Sequence, residues 1–349
     1  MILPQLTFTR FLAAVAVVIF HFREEAFPFK SVIIKDFIEY FTVLVSYFFV
    51  LSGFILTVNS KDGINVRRFY INRFARIFPL YLGALLLMLF LLLVARTPKD
   101  TISFNKVFLS VFLIQSWFQN YALSYNFPAW SLSAEAFFYV VFPFVIFLLR
   151  NKPLRLQLIS IVSFWFIMQV LFVWMLLHQN TFVMNNPLFH LSTFLLGIAA
   201  GRLFESKQDI LAIYTSKFEL LSLVMITVLA LLVMSRNPIF LKFYHNGLLA
   251  PVFVLFIYTV ALSKGRLIKL FANRRLEYLG EISYGIYILQ FPVSILVFGI
   301  MDRIVKVSPT VGFYIYLPSL IIISSVTYHF IEKPCRMLIR NLLDKKVRA

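Results

Sequence analysis

The chain has 349 residues, of which 61% are hydrophobic and only 14% are charged, and its mean hydropathy is +0.87. About a quarter of the residues in soluble domains are charged, so this composition excludes a soluble domain and predicts an all-α polytopic integral membrane protein. The net charge of +18 could suggest nucleic acid, but basic cytoplasmic loops explain it better, and we expect no nucleic-acid partner. The only cysteine, Cys335, excludes an intramolecular disulfide and a cysteine-based metal site.

The first hydrophobic stretch, Leu6–Phe22, carries Arg10 and His21 inside an apolar run. Eleven helical steps of about 100° place both residues on one helix face, roughly 16 Å apart along the axis. Ionisable groups in a bilayer usually face a polar interior or a substrate path, so this pair is a candidate functional site. Alternatively, Arg10 reaches the near headgroups and His21 caps the far end. No cleavage pattern follows the stretch, so we expect it to remain as a helix.

Ten apolar runs are long enough, or nearly so, to cross a hydrocarbon core of roughly 30 Å. A further apolar piece, Val107–Phe118, is short and is predicted to be interfacial or re-entrant. No linker, low-complexity tract or internal repeat divides the chain, so residues 1–349 are predicted to form one membrane domain with a short tail over 332–349. The predicted spans are Leu6–Phe22, Phe41–Val58, Phe78–Ala95, Leu132–Leu149, Leu158–Leu177, Leu188–Phe204, Phe218–Met234, Gly247–Leu262, Ile282–Ile300 and Val311–Ile331.

The distribution of lysine and arginine predicts the orientation of these spans. With a cytoplasmic N-terminus, the cytoplasmic segments hold 5, 3, 3, 5 and 6 basic residues, or 22 of the 33, and the external segments hold 3, 3, 0, 2 and 2, or 10. Because basic loops stay inside, both termini are predicted to be cytoplasmic. Arg10, the remaining basic residue, then lies toward the cytoplasm and His21 lies at the external face.

Four arginines precede the third span in the segment RRFYINRFARIFPLY. Guanidinium groups so closely spaced could bind phosphates through bidentate hydrogen bonds. The alternative is a positive-inside anchor, which explains any single arginine but explains four within ten residues less well. The residues concerned are Arg67, Arg68, Arg73 and Arg76.

On the external side, the segment NFPAWSLSAEAFFY places Glu135 at the outer start of the fourth span. At a depth similar to that of His21, its carboxylate could hydrogen-bond the imidazole, fix its tautomer and stabilise its protonated form, as a general base requires. Alternatively, Trp130 and Tyr139 are interfacial aromatic residues and Glu135 is a solvated helix start. None of the five histidines has metal-ligand spacing, and no nucleophile elbow or phosphate-binding loop is present, so we expect no metal or permanently bound cofactor.

Six segments in chain order resemble the successive motifs of the membrane-bound acyltransferase-3 family of bacterial O-acyltransferases. The resemblance spans nearly the whole chain, and the order of the motifs makes it specific although each motif is degenerate. The segments are TRFLAAVAVVIFHF, YFFVLSGFIL, RFARIFPLY, PAWSLSAEAFFY, EISYGIYILQFP and IEKPCR.

This resemblance implies an enzyme that moves an acyl group, most often acetyl from cytoplasmic acetyl-CoA, to hydroxyls of glycans or other acceptors at the external face. It assigns functional roles to Arg10 and His21, to Arg73 and Arg76, and to Glu135. The chain departs from the pattern at one position and in one domain. Gln290 stands where the family often has a histidine, so an acid–base role there is in doubt. We also expect no appended hydrolase-like domain, so the chain either completes the transfer or passes the acyl group to a separate partner.

We therefore predict an acyl-CoA-dependent O-acyltransferase of the bacterial inner membrane, acting on an extracytoplasmic glycan or lipid-linked acceptor. In this prediction His21 is the general base, Glu135 orients it, and Arg10 lines the donor path. The four arginines hold the donor phosphates, and a covalent acyl-enzyme and the oligomeric state are left open. The alternatives are succinyl transfer and a lipid-linked glycan transporter or flippase, although no internal symmetry supports the latter. The residues predicted to line the substrate pocket are Trp130, Ser131, Tyr139, Tyr284 and Gln290.

Overall fold

The computed structural model describes residues 3–22, 26–29, 31–61, 63–95, 102–211, 243–263, 265, 271–304 and 307–348. These ranges contain helices and turns and no β-strand, which confirms the predicted all-α fold of a polytopic membrane protein. The helices are α1 (Pro4–Phe22), α2 (Val32–Glu39), α3 (Leu44–Val58), α4 (Val66–Val94), α5 (Phe104–Val111), α6 (Ala129–Arg150), α7 (Leu154–Leu177), α8 (Pro187–Leu211), α9 (Ala250–Leu262), α10 (Arg274–Ile304), α11 (Pro309–Thr327) and α12 (Lys333–Arg348).

Eight helical segments of the described chain are long and apolar enough to cross a membrane, and each coincides with one of the ten predicted spans. The predicted span Gly247–Leu262 contains α9, a shorter apolar helix of 13 residues. The predicted span Phe218–Met234 lies outside the described residues. The short apolar piece Val107–Phe118 contains the end of α5 and a 3₁₀ turn at Gln115–Trp117, which are too short to cross a bilayer.

The third crossing helix begins earlier than its hydrophobic run. Helix α4 starts at Val66, where the side chain of Asn65 accepts a hydrogen bond from the backbone N–H of Arg68 at 3.0 Å. This cap satisfies one of the free N–H groups of the first turn, so the helix includes the polar arginine segment that hydropathy alone assigns to a loop. Arg73 and Arg76, three positions apart, consequently share one face of the same helix.

Close backbone contacts fix the helices that carry the site. Helix α3 packs most extensively on α8, and a Cβ at Gly53 or Gly197 would collide with a backbone carbonyl oxygen of the opposite helix. Helices α1 and α10 cross in the same way at Gly280, where a Cβ would collide with the carbonyl oxygen of Thr7. Small residues allow this close approach between membrane helices. Helix α1 is therefore held in a fixed position relative to α10, and α3 is held relative to α8.

The last crossing helix is continuous with the segment that follows it. Helix α11 passes through a π-helical turn at Tyr328–Glu332 into α12, so helical structure continues well past the predicted end at Ile331. Glu332 in this turn is buried, with only 3% of its surface exposed, although the next residue begins the basic, amphipathic helix α12. The predicted short tail over 332–349 thus starts in this turn and continues as α12 to Arg348.

Candidate active site

A cavity of about 310 Å³ lies between α1, α3, α4, α6 and α10. Its lining follows α3 from Val45 to Asn59, a distance of roughly 21 Å at 1.5 Å per residue, so the cavity is long and follows the helix axes. Such a volume is at the low end of small-molecule sites, which span about 300–1,000 Å³. The cavity suits one long, thin portion of a ligand rather than a whole nucleotide.

Three arginines line this one cavity: Arg10 from α1, and Arg73 and Arg76 from α4. None of the three guanidinium groups lies within ion-pair distance of a carboxylate in the described part of the chain. The Arg73 guanidinium lies over the rings of Phe69 and Tyr139, 5.9 and 5.7 Å from their centroids, and its Nε atom is buried without a hydrogen-bond partner. The cavity therefore contains excess positive charge and unused N–H donors in a position where an anion would be stabilised.

Glu135 is the carboxylate of this cavity, and two side chains hold it. Tyr139, one turn later on α6, donates a hydrogen bond to Glu135 Oε1, and Ser52 Oγ of α3 donates to the same oxygen at 3.3 Å. Glu135 also lies close enough to Arg10 and Arg73 to interact with them electrostatically. These contacts make Glu135 a counter-charge of the arginine group, and buried Glu332 interacts electrostatically with Arg10 and Arg76 in the same way.

His21 does not line the cavity, and it hydrogen-bonds Gln290, whereas Glu135 is held by Tyr139 and Ser52. The ring nitrogen Nδ1 lies 2.7 Å from Oε1 of Gln290 on α10, and the ring packs against Phe127 and Phe291, with centroids 5.2 and 5.3 Å away. The prediction that Glu135 orients His21 is therefore wrong. A similar depth on two helices does not fix the direction of either side chain around its helix axis, and the two residues face different partners.

The orientation of the Gln290 amide determines the tautomer of His21. Gln290 Nε2 donates to the backbone carbonyl oxygen of Tyr287 at 2.7 Å, so the amide oxygen faces the imidazole. An oxygen acceptor at this distance requires a proton on Nδ1, which makes Nε2 the basic nitrogen of the neutral ring. A glutamine thus supplies the orientation that the sequence led us to expect from a carboxylate.

Tyr287 connects the cavity to this histidine. Tyr287 lines the cavity and its hydroxyl lies 2.7 Å from Ser131 Oγ, while its backbone carbonyl accepts the hydrogen bond from Gln290. The end of the cavity formed by Ser131 and Tyr287 is therefore within one helical turn of the partner of His21. The basic nitrogen and the cavity belong to neighbouring parts of one site.

The remaining predicted residues divide into those at the cavity and those away from it. Tyr284 lines the cavity and donates its hydroxyl to the carbonyl oxygen of Ile77 at 2.7 Å, and Ser131 and Tyr139 line it as predicted. Arg67 and Arg68 are exposed at the start of α4 and do not line the cavity, so the four arginines are not one cluster.

Trp130 and Gln290 were also predicted to line the pocket, and neither does. Trp130 is buried against two histidines, with ring centroids 5.0 Å from His190 and 5.2 Å from His245. Neighbouring positions on a helix point about 100° apart, so Ser131 faces the cavity while Trp130 faces the protein interior. Gln290 instead contacts His21.

Sequence reasoning overlooked Ser52 and Tyr287. Both are uncharged residues in apolar helices, and such residues give a much weaker signal than a buried arginine or glutamate. Ser52 stands beside Gly53 in the segment VLSGF, and the combination of a small residue for packing with an adjacent hydroxyl could have indicated a site. In the described residues, no group of three or more histidine, cysteine, aspartate or glutamate side chains could hold a metal ion.

Comparison with known proteins gives a family match over nearly the whole chain. A family model described as "Acyltransferase domain" matches residues 3–329. The acyltransferase MdmB of Streptomyces mycarofaciens is 35% identical over 162 residues, covering 44% of this chain and 41% of that protein. The O-acetyltransferase OatA of Staphylococcus aureus is 25% identical over 319 residues, covering 84% of this chain and 52% of that protein. The chain thus spans about half the length or less of these curated relatives, and no solved structure gives a significant match.

Proposed function

Because the chain belongs to the membrane-bound acyltransferase-3 family, whose model covers residues 3–329, we propose that it transfers an acetyl group from cytoplasmic acetyl-CoA to a glycan hydroxyl outside the inner membrane. O-acyl transfer to a hydroxyl acceptor and a multi-pass membrane location follow from the family and the helices. The donor, the glycan acceptor and the bacterial inner membrane are the proposed part.

The observation that carries the proposal is the group of three arginines in the buried cavity. Arg10, Arg73 and Arg76 line one space whose lining contains one carboxylate, that of Glu135, and buried Glu332 lies close enough to Arg10 and Arg76 to interact with them electrostatically. Burying three guanidinium groups in a membrane protein is costly, so a cavity lined by them favours an anionic ligand. The phosphates of coenzyme A supply that charge, and guanidinium groups bind phosphates with charge-assisted, bidentate hydrogen bonds.

The shape of the cavity supports the same donor. Arg73 and Arg76 lie toward the end of the cavity that contains Leu3 and Asn59, which the distribution of basic residues assigns to the cytoplasm. With its phosphates near these arginines, coenzyme A would extend its acylated arm along the cavity toward Ser131 and Tyr287. The nucleotide portion would remain at the cytoplasmic mouth, because the cavity is too small to hold the whole donor.

His21 would activate the acceptor. An acceptor hydroxyl bound beside this residue gives its proton to Nε2 as its oxygen attacks the thioester carbonyl carbon, the C–S bond breaks, and the departing thiolate takes up the proton to form the free thiol of coenzyme A. Gln290 holds the imidazole in the required tautomer. The exposed ring of Phe127 next to His21 offers an apolar surface on which a sugar ring can stack.

The experiment is mass spectrometry of surface glycans from cells with the gene, without it, and with the gene restored. We expect alkali-labile acetyl esters to disappear on deletion and to return with the wild-type protein but not with the His21→Ala variant. Alkali-labile esters that stay unchanged on deletion would contradict the proposed acceptor class. The same glycans carrying succinyl esters would contradict the proposed donor.

A further inference from the structure

Pro292 interrupts the backbone hydrogen bonds of α10 beside the site. Proline has no backbone N–H, so the carbonyl oxygen of Ile288, four residues earlier, lacks its usual helical donor. Ile288 is fully buried, and a buried carbonyl without a donor is costly. A donor comes from outside the helix, because Asn126 Nδ2 donates a hydrogen bond to this oxygen at 2.8 Å.

Asn126 lies in the segment 125–128, which leads directly into α6. It is 1% exposed, and its backbone carbonyl oxygen accepts from the N–H of Ala129, the first residue of α6, at 2.9 Å. Its Oδ1 atom is buried without a hydrogen-bond partner in the described part of the chain, which costs free energy. An apolar residue of similar size would avoid that cost, so the asparagine is explained by the hydrogen bond that it donates.

The hydrogen bond joins the two segments that hold the ring of His21. Phe127, the residue after Asn126, lies edge-on to the imidazole, with centroids 5.2 Å apart. In the turn of α10 before the proline, Gln290 Oε1 lies 2.7 Å from Nδ1 of the imidazole, and Phe291 packs on the ring with centroids 5.3 Å apart. Phe127 and Phe291 also contact each other, with centroids 5.8 Å apart. A shift of the segment 125–128 relative to α10 would therefore move the groups that surround the imidazole.

We propose that Asn126 is a positioning residue for acyl transfer, which fixes the imidazole of His21 by joining the segment 125–128 to α10 at Ile288. This inference rests on the proposed function, in which His21 takes the proton of the acceptor hydroxyl. Asn126 does not line the cavity and acts only through the neighbours of the histidine. A misplacement of about 1 Å caused by a distant substitution can lower a reaction rate about 100-fold.

The first measurement compares acetyl transfer with acetyl-CoA affinity, on the full chain in lipid nanodiscs. In Asn126→Ala, the transfer rate should fall about 10- to 100-fold while the affinity stays within about 2-fold, because the cavity is unchanged. Asn126→Asp keeps the shape but loses the donor, so it should behave in the same way. Transfer by both variants at the wild-type rate would overturn the inference.

The matched control is Asn186→Ala. Asn186 is also buried, and its Oδ1 atom accepts from the backbone N–H of Leu188 at 3.0 Å, away from the site. We expect this variant to lose stability but to transfer acetyl within about 3-fold of the wild-type rate. An equal loss of transfer in Asn186→Ala and Asn126→Ala would show a general effect of losing a buried asparagine and would overturn the inference.

Pro292→Ala separates positioning from the mere pairing of a buried carbonyl. It restores a backbone N–H four residues after Ile288, so Asn126→Ala should lower the melting temperature less in the Pro292→Ala background than in the wild type. Transfer should still fall at least about 10-fold relative to Pro292→Ala alone, because the segment 125–128 is no longer joined to α10. Transfer restored together with stability would reduce Asn126 to a structural role. Equal losses of stability in both backgrounds would show that Asn126 does not replace the missing proline donor. Either result overturns the inference.

A readout that needs no catalysis separates this inference from the proposed function. Nitrogen NMR of histidine-labelled protein, with the His21 signals assigned through His21→Ala, reports the tautomer of the neutral imidazole. We expect one tautomer, protonated at Nδ1, in the wild type and a mixture of tautomers in Asn126→Ala. If the wild-type protein transfers no acetyl, the proposed function fails and this spectrum still decides the role of Asn126. Unchanged His21 signals in Asn126→Ala would overturn that role.

Discussion

A neutral glutamine holds the histidine of this site. Gln290 accepts from Nδ1 of His21 and is itself fixed by the carbonyl oxygen of Tyr287, so it sets the tautomer without adding charge. A carboxylate in the same place would favour the charged imidazolium over the neutral ring. The side chain at position 290 therefore influences the basicity of His21. Gln290 is a positioning residue, and substituting it tests this role.

Substitution of Gln290 should change the chemical step and leave donor binding unchanged. In Gln290→Ala, the imidazole loses its fixed tautomer, and we expect acetyl transfer to fall by about 10- to 100-fold at unchanged acetyl-CoA affinity. Gln290→Glu should retain transfer. Its carboxylate favours the protonated imidazole, so the acid limb of the pH–rate profile should move to higher pH. An unchanged pH profile in Gln290→Glu would show that position 290 has no influence on the base.

The arginines offer a comparison within one helix. If these arginines bind the donor phosphates as proposed, Arg73→Ala or Arg76→Ala removes a charge-assisted pair worth about 1.5–3 kcal/mol, so acetyl-CoA affinity should fall roughly 10- to 150-fold. The exposed residues Arg67 and Arg68 serve as matched controls, and their alanine variants should bind within about 2-fold of wild type. Lysine should restore binding only partly, because it cannot make the bidentate contact. An equal loss in all four variants, measured by binding in nanodiscs, would favour a general electrostatic anchor instead.

At the scale of elements, the site depends on the close contact between α3 and α8. This contact holds Ser52, and through it Glu135, in a fixed position at the cavity wall. The residues that allow the contact lie on the side of α3 opposite the cavity. A change there would reach the site through movement of a helix rather than through a lost ligand contact.

Glycine substitution tests this dependence. A Cβ at Gly197 would collide with the carbonyl oxygen of Val50, so Gly197→Ala should destabilise the protein by about 1–3 kcal/mol and lower acetyl-CoA affinity. Gly83 is the matched control, because a Cβ there meets nothing within 4 Å, and alanine in a helix interior is favoured over glycine. Thermal unfolding in detergent measures the difference. Equal melting temperatures for Gly197→Ala and wild type would contradict the tight contact.

Across the whole molecule, a cytoplasmic donor and an external acceptor can meet only if the two ends of the cavity face opposite sides of the membrane. The loop at Gly63 follows α3 near the arginine end, and Asn120 lies in the segment between α5 and α6 near the histidine end. Reporter fusions should place Gly63 in the cytoplasm and Asn120 outside, as the distribution of basic residues predicts. The same side for both positions would contradict the arrangement of donor and acceptor.

Sequence alone could predict the fold class and the charged part of the site. Arg10, Arg76 and Glu135 stand out because a charged side chain in an apolar membrane helix is costly and usually has a function. Sequence could not predict that Glu135 faces the arginines and Gln290 faces His21, because depth follows from position along a helix but direction depends on packing. The first residue of α4 could not be predicted either, because the first turns of this helix are polar and hydropathy alone assigns them to a loop.

In the proposed mechanism, the cavity binds the donor while a histidine outside that cavity activates the acceptor. The most direct measurement compares His21→Ala with wild type for acetyl-CoA affinity and for transfer to surface glycan isolated from cells that lack the gene. The exposed His178 at the end of α7 provides a matched control, and His178→Ala should behave as wild type. We predict that His21→Ala keeps acetyl-CoA affinity within about 2-fold and loses at least about 100-fold in transfer rate. Transfer by His21→Ala at the wild-type rate would contradict the account.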